Sequence, residues 1–597
     1  MFAVAENPPI RATRRFLISS PLKFRPWPLW AILTLLLLAT PTLGRAAAQE
    51  AAPAAEADIC VFGGTSAGIV AAVQARRMGK TVLLVESSAH LGGLTTGGLG
   101  ATDIGNKAAI GGLAREFYHR IALHYSQPAA WTRENSKDYF TQRGSSQAQA
   151  ADLASTNATM WTFEPHIAAQ VYREMLAEAG ITVLLQQRLA AVGKHGARLT
   201  EIRMENGNVF RAKMFIDASY EGDLMARAGV DFVVGREANA QYDEILDGIR
   251  AATPKHQFLL PVDPYVKPGD PAGGLLPFIQ PGDGGKPGEG DQRIQAYNYR
   301  LCFTTVPENR LPLEPPPNYN PADYELLARY IEALVKAGRT PALSAFCNPI
   351  WMPNRKTDIN NNGPFSTDFI GMNRAWPEAG YAARERMARE HENYTRGLLT
   401  FLATSPRVPE SLRREMRQWG PCKDEFADNG GWPTQLYVRE ARRMVSGYVM
   451  TEHNCRGTEV AGDPVGLAAY NMDSHNCQRI VKNGQAENEG DVQAGSLQPY
   501  PVSCRALVPR AGQCDNLLVP VCLSASHIAY GSIRMEPAFM VLGQSAATAA
   551  AQAIDQRVAV QQLDYPALRA RLLADRQFLD WPPAVKPKDS GPQNQAR

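Results

Sequence analysis

The sequence DICVFGGTSAGIVAAVQARRMGKTVLLVE, residues 58–86, decides the fold. Apolar residues over 59–62 predict a strand that runs into a glycine-rich turn. Small and apolar residues then predict a helix, and a second apolar stretch over 81–85 predicts another strand that ends on Glu86. A strand, helix and strand within about 30 residues form the usual unit of a parallel sheet. The stretch therefore predicts an α/β fold.

The turn after the first strand reads Gly63-Gly64-Thr65-Ser66-Ala67-Gly68. It matches the G-x-G-x-x-G fingerprint of Rossmann-like domains at its first and last glycines, and Thr65 stands at the middle position. The helix that follows begins with free N–H groups and a positive dipole end, which suit a pyrophosphate. Glu86 follows Gly63 at the distance where a carboxylate binds ribose hydroxyls. We predict that all seven residues bind a dinucleotide.

Three blocks of the sequence resemble the FAD-dependent oxidoreductases of the glutathione-reductase-like flavoprotein superfamily, and an exported bacterial branch in particular. The first block is Glu86 followed by HLGG at 90–93. The second, FIDASYEGDL at 215–224, resembles the flavin motif in which a strand runs into a turn beside the cofactor. The third, SASHIAYGSIRMEP at 524–537, resembles the C-terminal flavin motif. The resemblance covers roughly residues 58–575.

The resemblance implies that the cofactor is FAD. It adds five residues to the predicted cofactor contacts: Gly92, Gly93, Asp217, Ala218 and Gly543. A helix over 537–554 is rich in small residues that allow close packing. The positive N-terminus of this helix would face the N1 and C2 carbonyl region of the flavin, where it would stabilise the anion formed on reduction.

The domain organisation follows from these blocks and from a change of composition in the middle of the chain. Prolines, glycines and aromatic residues are dense from about 235 to 495, with helical patterns over 324–337 and 381–402. We predict a Rossmann-like FAD-binding domain that is discontinuous, with an inserted mixed α+β substrate domain. The predicted segments are a signal peptide at 1–48, a linker at 49–57, the FAD-binding domain at 58–230 and 496–560, the substrate domain at 231–495, and a C-terminal helix and disordered tail at 561–597.

The N-terminal segment has the pattern of a targeting signal. A basic region precedes an apolar run over 29–38, and Ala46-Ala47-Ala48 offers a small-residue cleavage site. The stretch TRRFL at 13–17 resembles a twin-arginine signal, although Phe follows the arginine pair directly. These features predict export to the periplasm or the outside. The alternative is an uncleaved segment that anchors the chain in a membrane.

Charge and cysteine content exclude several other classes. The chain has 62 Lys and Arg against 59 Asp and Glu, which gives no electrostatic basis for binding nucleic acid. The nine cysteines include no C-x-x-C pair, so we predict no zinc site. The sequence leaves open whether some of the cysteines form disulfides.

Residues 358–363 match the start of an EF-hand loop, but Phe369 stands where a bidentate glutamate is needed. We predict a tight turn there and no metal.

Two histidines and one arginine are the candidates for catalysis. Removing hydride from an alcohol or amine carbon needs a base near the flavin, and histidine titrates in the useful range. We name His527 and His475 for this role, with Tyr530 as the alternative. Arg534 is the candidate for binding a substrate anion or the flavin carbonyl. Arg439, Arg442 and Arg443 are predicted to form one basic face of a helix.

The leading hypothesis is an FAD-dependent oxidoreductase that takes hydride from a polar small molecule, such as a carbohydrate or an acid, onto flavin N5. Its electrons would leave to oxygen, a quinone or another carrier. One alternative is a flavin monooxygenase-like enzyme, which needs a supply of reductant. Another is a binding module that holds FAD without catalysis. Only one dinucleotide fingerprint is present, so no separate NAD(P)H domain is predicted.

Overall fold

The computed structural model describes residues 54–143, 153, 155–251, 253–496 and 498–581. The predicted signal peptide and the tail from 582 onward lie outside the described residues, so export and the tail stay predictions. Within the described ranges, no helix is both long enough and apolar enough to cross a membrane. The first strand begins at Ala54, so the last residues of the predicted linker belong to a strand.

The described residues form helices and strands that we number in chain order. The α-helices are α1 (Ser66–Arg77), α2 (Gly93–Thr96), α3 (Gly112–Tyr125), α4 (Ser136–Asp138), α5 (Pro165–Glu178), α6 (Asp223–Arg227), α7 (Asn239–Tyr242), α8 (Glu325–Lys336), α9 (Tyr381–Thr404), α10 (Glu410–Met416), α11 (Glu452–Arg456), α12 (His527–Ile533), α13 (Glu536–Gln556) and α14 (Tyr565–Ala574). The strands are β1 (Ala54–Phe62), β2 (Val82–Val85), β3 (Thr182–Leu184), β4 (Leu189–His195), β5 (Arg198–Met204), β6 (Val209–Asp217), β7 (Phe232–Val233), β8 (Leu301–Thr304), β9 (Cys347–Met352), β10 (Lys356–Asn361), β11 (Gly420–Pro421), β12 (Arg443–Met444), β13 (Pro464–Ala468), β14 (Met472–Ser474), β15 (Gln478–Lys482), β16 (Gln485–Glu489), β17 (Val492–Ala494), β18 (Tyr500–Ser503) and β19 (Leu517–Leu518).

The main sheet has the order β3-β2-β1-β6-β5-β4, and β19 pairs with β6. The β1–β2, β2–β3, β1–β6 and β6–β19 pairs are parallel, whereas β4, β5 and β6 form an antiparallel meander. Residues 59–62 and 84–85 are buried, as expected for parallel strands covered on both faces. The α/β Rossmann-like fold is therefore confirmed. The boundaries of the two predicted domains stay predictions.

Helices α1 and α13 pack against each other beside this sheet. A Cβ atom at Gly543 would lie 2.3 Å from the carbonyl oxygen of Ala67 in α1. A Cβ atom at Gly68 would lie 1.8 Å from the carbonyl oxygen of Gly63. Glycine is required at both positions because any larger residue would push the helices or the turn apart. The small residues of α13 thus bring the C-terminal helix directly against the dinucleotide-binding turn.

A second sheet, of order β11-β8-β10-β9, belongs to the middle of the chain. The predicted helices at 324–337 and 381–402 are confirmed as α8 and α9. The predicted tight turn at 358–363 is wrong, because Asp358 lies within β10 and is fully buried. Its carboxylate pairs with Arg300 on the neighbouring chain segment, with a Nε–Oδ1 distance of 2.7 Å. This buried ion pair explains why a polar stretch forms an internal strand.

The predicted basic helix face at 439–443 is also wrong. These three arginines lie in an extended segment that ends in β12, and all three are buried. Each contacts a different carboxylate. The contacts are Arg439–Asp368 at 2.9 Å, Arg442–Asp223 at 2.8 Å and Arg443–Glu237 at 2.8 Å. Buried charges need such partners, and the partners come from distant parts of the chain.

Candidate active site

The turn between β1 and α1 has the geometry that the fingerprint predicts. Gly63 has a φ of +101°, and a Cβ atom there would lie 2.5 Å from the backbone nitrogen of Ser219. Thr65 is the N-cap of α1. Its hydroxyl accepts from the Gly68 N–H at 3.3 Å and donates to the Ala218 carbonyl at 2.8 Å. Both hydrogen bonds of the threonine hydroxyl are therefore made within the protein. They explain how a side chain is accommodated where the fingerprint has its middle glycine.

Glu86 ends β2 and is held beside this turn. Its Oε2 atom accepts from the Gly64 N–H at 2.6 Å, and its Oε1 atom accepts from the Ser88 N–H at 2.6 Å. Gly64 in turn accepts from the Gly92 N–H at 2.7 Å through its carbonyl. These bonds link the phosphate turn, the end of β2 and the glycine run after it. They fix a carboxylate at the place where a ribose would bind.

A cavity opens at this point and is shared by residues from both halves of the chain. The predicted contacts Gly63, Thr65, Glu86 and Gly93 line it. Sequence reasoning missed the others, which are Phe62, Ser87, Ser88, His90, Arg188, Ser219, Tyr220, Glu221, Tyr299, Trp376, Tyr381, Arg384, Glu385, Ala388, Thr434, Gln435 and Leu436. His90, Ser219, Tyr220 and Glu221 lay inside quoted motifs, whereas no sequence signal pointed to Trp376 or Arg384.

The remaining predicted cofactor residues do not line the cavity. Ser66, Ala67 and Gly68 form the buried first turn of α1, and Gly543 packs against that turn. Asp217 is fully buried, and its two oxygens accept from Ser219 and from the Met225 N–H. Burial raises the pKa of Asp217 to about 6. Direct contact of these residues with a cofactor stays a prediction.

A second group of polar residues surrounds the ring of Tyr437. The guanidinium carbons of Arg439, Arg534 and Arg300 lie 4.8, 5.6 and 6.0 Å from its ring centroid. The Tyr437 hydroxyl accepts from Arg534 at 2.8 Å. Arg534 also contacts Asp473, with an Nη2–Oδ2 distance of 3.2 Å. Each of these buried arginines contacts a carboxylate, so the group is close to balanced in charge.

His475 belongs to this Tyr437 group. Its Nδ1 atom lies 2.7 Å from Asp368 Oδ2, and its Nε2 atom lies 3.6 Å from Asp473 Oδ2. Burial and Arg439 oppose a charge on the ring, but the two carboxylates outweigh them and raise the pKa of His475. Arg439 and His475 lower the pKa of Asp368 to about 2 despite its burial. An imidazole held this way can transfer a proton through Nε2.

His527 lies in a different and more enclosed environment. Its Nδ1 atom is 2.8 Å from Glu440 Oε2, its Nε2 atom is 2.9 Å from the Ser474 hydroxyl, and its ring is 1 % exposed. Both ring nitrogens are thus occupied by buried protein partners. Tyr530, the alternative acid or base, is also buried. The structure brings His475 and Arg534 together through Asp473, whereas the ring of His527 contacts Glu440 and Ser474.

The cavity and the Tyr437 group are neighbours. Gln435 and Leu436 line the cavity, and the next residue is Tyr437 itself. A Cβ atom at Gly98, in the glycine run, would lie 2.3 Å from the carbonyl oxygen of Arg300. The backbone of the predicted cofactor loop therefore touches the backbone of an arginine in the Tyr437 group.

One cluster of potential metal ligands is occupied by a lysine. Glu164, His166 and Glu425 have ligand atoms close enough to hold an ion. The Nζ atom of Lys356 lies 2.8 Å from Glu164 and 2.6 Å from Glu425. Its side chain is fully buried, and a third carboxylate, Asp424, lies 2.9 Å away. The ammonium group supplies the positive charge that these carboxylates require.

The residues of the turn and cavity fit an adenine dinucleotide. The fit rests on a turn where a Cβ atom at Gly63 has no room, on the helix N-terminus that follows, and on the fixed carboxylate of Glu86. A Cβ atom at Gly93 would lie 2.3 Å from the Tyr220 hydroxyl, so a side chain there would displace either the loop or the tyrosine. These are the features that let a backbone approach a pyrophosphate and a ring.

The sequence profile of a family described as FAD dependent oxidoreductase matches residues 58–572. The match begins at β1 and ends within α14, so it includes the turn, the cavity and the Tyr437 group. No curated protein is significantly similar to this chain.

Several solved structures share limited similarity with the chain. L-amino acid deaminase from Proteus vulgaris is 14% identical, with 32% of this chain and 54% of that chain covered and a TM-score of 0.22. The 3-ketosteroid-delta4-(5alpha)-dehydrogenase from Rhodococcus jostii RHA1 is 16% identical, with 30% and 49% covered and a TM-score of 0.18. Flavin-containing monooxygenase from Stenotrophomonas maltophilia is 14% identical, with 31% and 43% covered and a TM-score of 0.18. The chain spans about half of each protein or less, and this similarity indicates no substrate.

Proposed function

Because this chain belongs to the FAD dependent oxidoreductase family, we propose that it takes hydride from a polar small molecule onto its flavin, with a carbohydrate or an acid as the substrate class. Bound FAD supplies the two-electron acceptor. Gly63, Glu86 and Gly93 would hold the cofactor in the cavity. We also propose that the chain belongs to the glutathione-reductase-like branch of flavoproteins.

The single observation that carries the proposal is the His475–Asp368 pair, which belongs to the Tyr437 group and does not itself line the cavity. Oxidation of an alcohol or amine carbon releases a proton along with the hydride, and a positioned base must take it. The ionised carboxylate of Asp368 accepts a hydrogen bond, so Nδ1 of His475 carries a proton and Nε2 is the atom that exchanges one. The raised pKa of His475 opposes this role at low pH, because a base must be unprotonated to accept a proton.

In this proposal, Arg534 and Asp473 position the substrate beside His475. Arg534 directs one nitrogen to the Tyr437 hydroxyl and another to Asp473, which faces His475 Nε2. A hydroxyl or amine of the substrate would replace the weak 3.6 Å contact between His475 and Asp473. We assign the base role to His475 in preference to His527, since both nitrogens of His527 already have buried partners.

The experiment begins with the visible absorption spectrum of the purified chain, repeated on the supernatant after acid precipitation. Flavin bands in the supernatant establish non-covalent FAD. Carbohydrates, hydroxy acids and amines are then screened for anaerobic bleaching of the bound flavin. A substrate that bleaches the wild type should bleach His475→Gln about 100-fold more slowly, in line with loss of a general base. His195→Gln, an exposed histidine on β4, is the matched control.

The outcomes separate the proposal from its alternatives. Reduction by NADH or NADPH with no bleaching by organic substrates favours a monooxygenase-like enzyme. Bound FAD that no reductant or substrate bleaches favours a binding module. Equal bleaching rates in the wild type and His475→Gln would remove His475 from the mechanism while leaving the oxidoreductase assignment in place.

Export and the electron acceptor complete the proposal. The N-terminal pattern supports export to the periplasm or outside, by the twin-arginine route for a chain that folds around FAD first. Oxygen, a quinone or another carrier would then reoxidise the flavin. Cell fractionation of the full chain and of a variant with Arg14 and Arg15 replaced by Lys tests the route, since twin-arginine export requires the pair. Stopped-flow mixing of the reduced enzyme with oxygen or a soluble quinone tests the acceptor.

A further inference from the structure

Glu536 is a buried carboxylate whose partners all belong to the cofactor-binding part of the molecule. It is the first residue of α13, and it is 3 % exposed. Charged side chains are seldom buried this far without specific partners. The sequence motifs contain Glu536 but gave it no role. Arg534 of the Tyr437 group lies two residues before it in the sequence.

Both oxygens of Glu536 accept hydrogen bonds from hydroxyl groups. The Thr95 hydroxyl donates to Oε2 at 2.7 Å, and the Tyr220 hydroxyl donates to Oε1 at 2.8 Å. The oxygen of Tyr220 itself accepts from the Leu94 N–H at 2.9 Å, which leaves its proton for Glu536. Burial raises the pKa of Glu536, while the hydroxyls of Ser66, Thr95 and Tyr220 oppose that effect. The first turn of a helix also favours a negative charge.

These bonds join three segments that are far apart in the sequence. Leu94 and Thr95 follow Gly93 in the glycine run, Tyr220 lies in the turn after β6, and Glu536 begins α13. Gly93 and Tyr220 both line the cavity. A Cβ atom at Gly93 would lie 2.3 Å from the Tyr220 hydroxyl, so the tyrosine directly supports the loop. Tyr220 and Glu536 lie in the second and third sequence blocks that resemble flavin motifs, and Leu94 and Thr95 directly follow the first.

We propose that Glu536 is a positioning residue for FAD, which links the 93–95 loop and Tyr220 to the first turn of α13 and so holds the cofactor cavity in its binding shape. A cavity shaped in advance binds more tightly, because less ordering has to accompany binding. Glu536 acts through Tyr220 and Thr95 and does not need to touch the cofactor. The inference depends on FAD alone and is independent of the proposed substrate and of His475.

The test measures FAD affinity and apoprotein stability side by side. FAD is removed from the full chain, and its dissociation constant is measured by the quenching of flavin fluorescence on rebinding, while the Tm of the apoprotein is measured separately. We expect Glu536→Ala to weaken FAD binding about tenfold, which corresponds to the net free energy that one hydrogen bond contributes. Glu536→Gln keeps an acceptor for Tyr220, so it should recover most of the affinity.

Glu244→Ala is the matched control. Glu244 is also 3 % exposed and accepts from a hydroxyl, that of Ser526 at 2.6 Å, but it does not line the cavity. This variant should lower the Tm of the apoprotein and leave the FAD dissociation constant within about twofold of wild type, since it removes a comparable hydrogen bond elsewhere. If Glu536→Ala behaves like this control, the residue is structural only and the inference is overturned.

Tyr220→Phe and Thr95→Val test the same idea in variants that lose a single oxygen atom. Each should weaken FAD binding by about threefold to tenfold, as expected for one hydrogen bond. Combining Tyr220→Phe with Glu536→Ala should weaken it no further than Glu536→Ala alone, because both remove one shared link. Independent, additive effects would contradict the inference. These measurements use no substrate. The proposed hydride transfer could therefore be disproved while this inference holds, and this inference could be disproved while hydride transfer holds.

Discussion

The Nδ1 atom of His475 lies 2.7 Å from the Oδ2 atom of Asp368, and the two residues are 107 positions apart in the sequence. Asp368 also contacts Arg439 at 2.9 Å, so one carboxylate contacts both an arginine and a histidine. Both side chains are buried, which strengthens their attraction and makes the loss of either partner costly. The pair gives several measurable consequences.

Stability should depend on pH through His475. Its pKa is raised in the folded protein, so its charge stabilises the fold fully below the ordinary histidine value of about 6.5. That contribution should fade as the pH rises through the raised pKa. Denaturant unfolding of wild type and His475→Gln from pH 6 to 9 should therefore give curves that converge at high pH. A difference that grows with pH would contradict the sign of this shift. His195→Gln should run parallel to wild type.

Replacing Asp368 should cost more than replacing His475. Asp368→Asn removes the carboxylate that both Arg439 and His475 contact, and it leaves a buried guanidinium without its partner. We expect a loss of about 3–5 kcal/mol in the free energy of unfolding. It should also lower the pKa of His475, which an NMR titration of its ring protons would report. An unchanged His475 titration would show that Asp473 alone sets that pKa.

The close packing at Gly68 should make it intolerant of a side chain. A Cβ atom there would lie 1.8 Å from the Gly63 carbonyl oxygen, so Gly68→Ala must displace the phosphate turn. We expect a loss of about 1–3 kcal/mol in stability and a large loss of FAD affinity. Gly447→Ala is the control, because a Cβ atom at that position meets no atom within 4 Å. Thermal unfolding and FAD titration of both variants provide the comparison.

Restoring the fingerprint at position 65 should not improve the protein. Thr65→Gly recreates the middle glycine, but it removes the N-cap of α1 and the hydrogen bond to the Ala218 carbonyl. We expect a loss of about 1–2 kcal/mol in stability and no gain in FAD affinity. Thr65→Ser keeps the hydroxyl and should stay close to wild type. Tighter FAD binding in Thr65→Gly would show that the threonine side chain obstructs the phosphates.

Lys356 should be essential for the stability of the sheet that contains β10. Lys356→Met leaves the carboxylates of Glu164 and Glu425 buried without their cation. We expect the free energy of unfolding to fall by about 3–5 kcal/mol. Lys423→Met, on an exposed lysine of the adjacent segment, is the control. Recovery of the lost stability by a divalent cation would show that the site accepts a metal once the lysine is removed.

The sequence predicted the turn at 63–68 and the strand and helix on either side of it, because their signals are local. The turn at 63–68 is decided by glycines that allow close approach, and the strand and helix around it follow from the pattern of apolar residues. Helices α8 and α9 were likewise predicted from their period. In contrast, Asp358 was expected in a turn because it precedes three asparagines and a glycine. Its burial against Arg300 in β10 depends on a partner 58 positions away.

The sequence by itself determined that this chain has a Rossmann-like α/β fold with a dinucleotide-binding turn, since those features arise from neighbouring residues. It also indicated FAD through three short blocks. Only the tertiary structure decided that Arg439, Arg442 and Arg443 are buried separately, each with its own carboxylate, instead of sharing a helix face. Only folding brings Thr95 to Glu536, across 441 positions. Buried polar groups must find partners wherever packing supplies them, and no local pattern encodes which distant partner that will be.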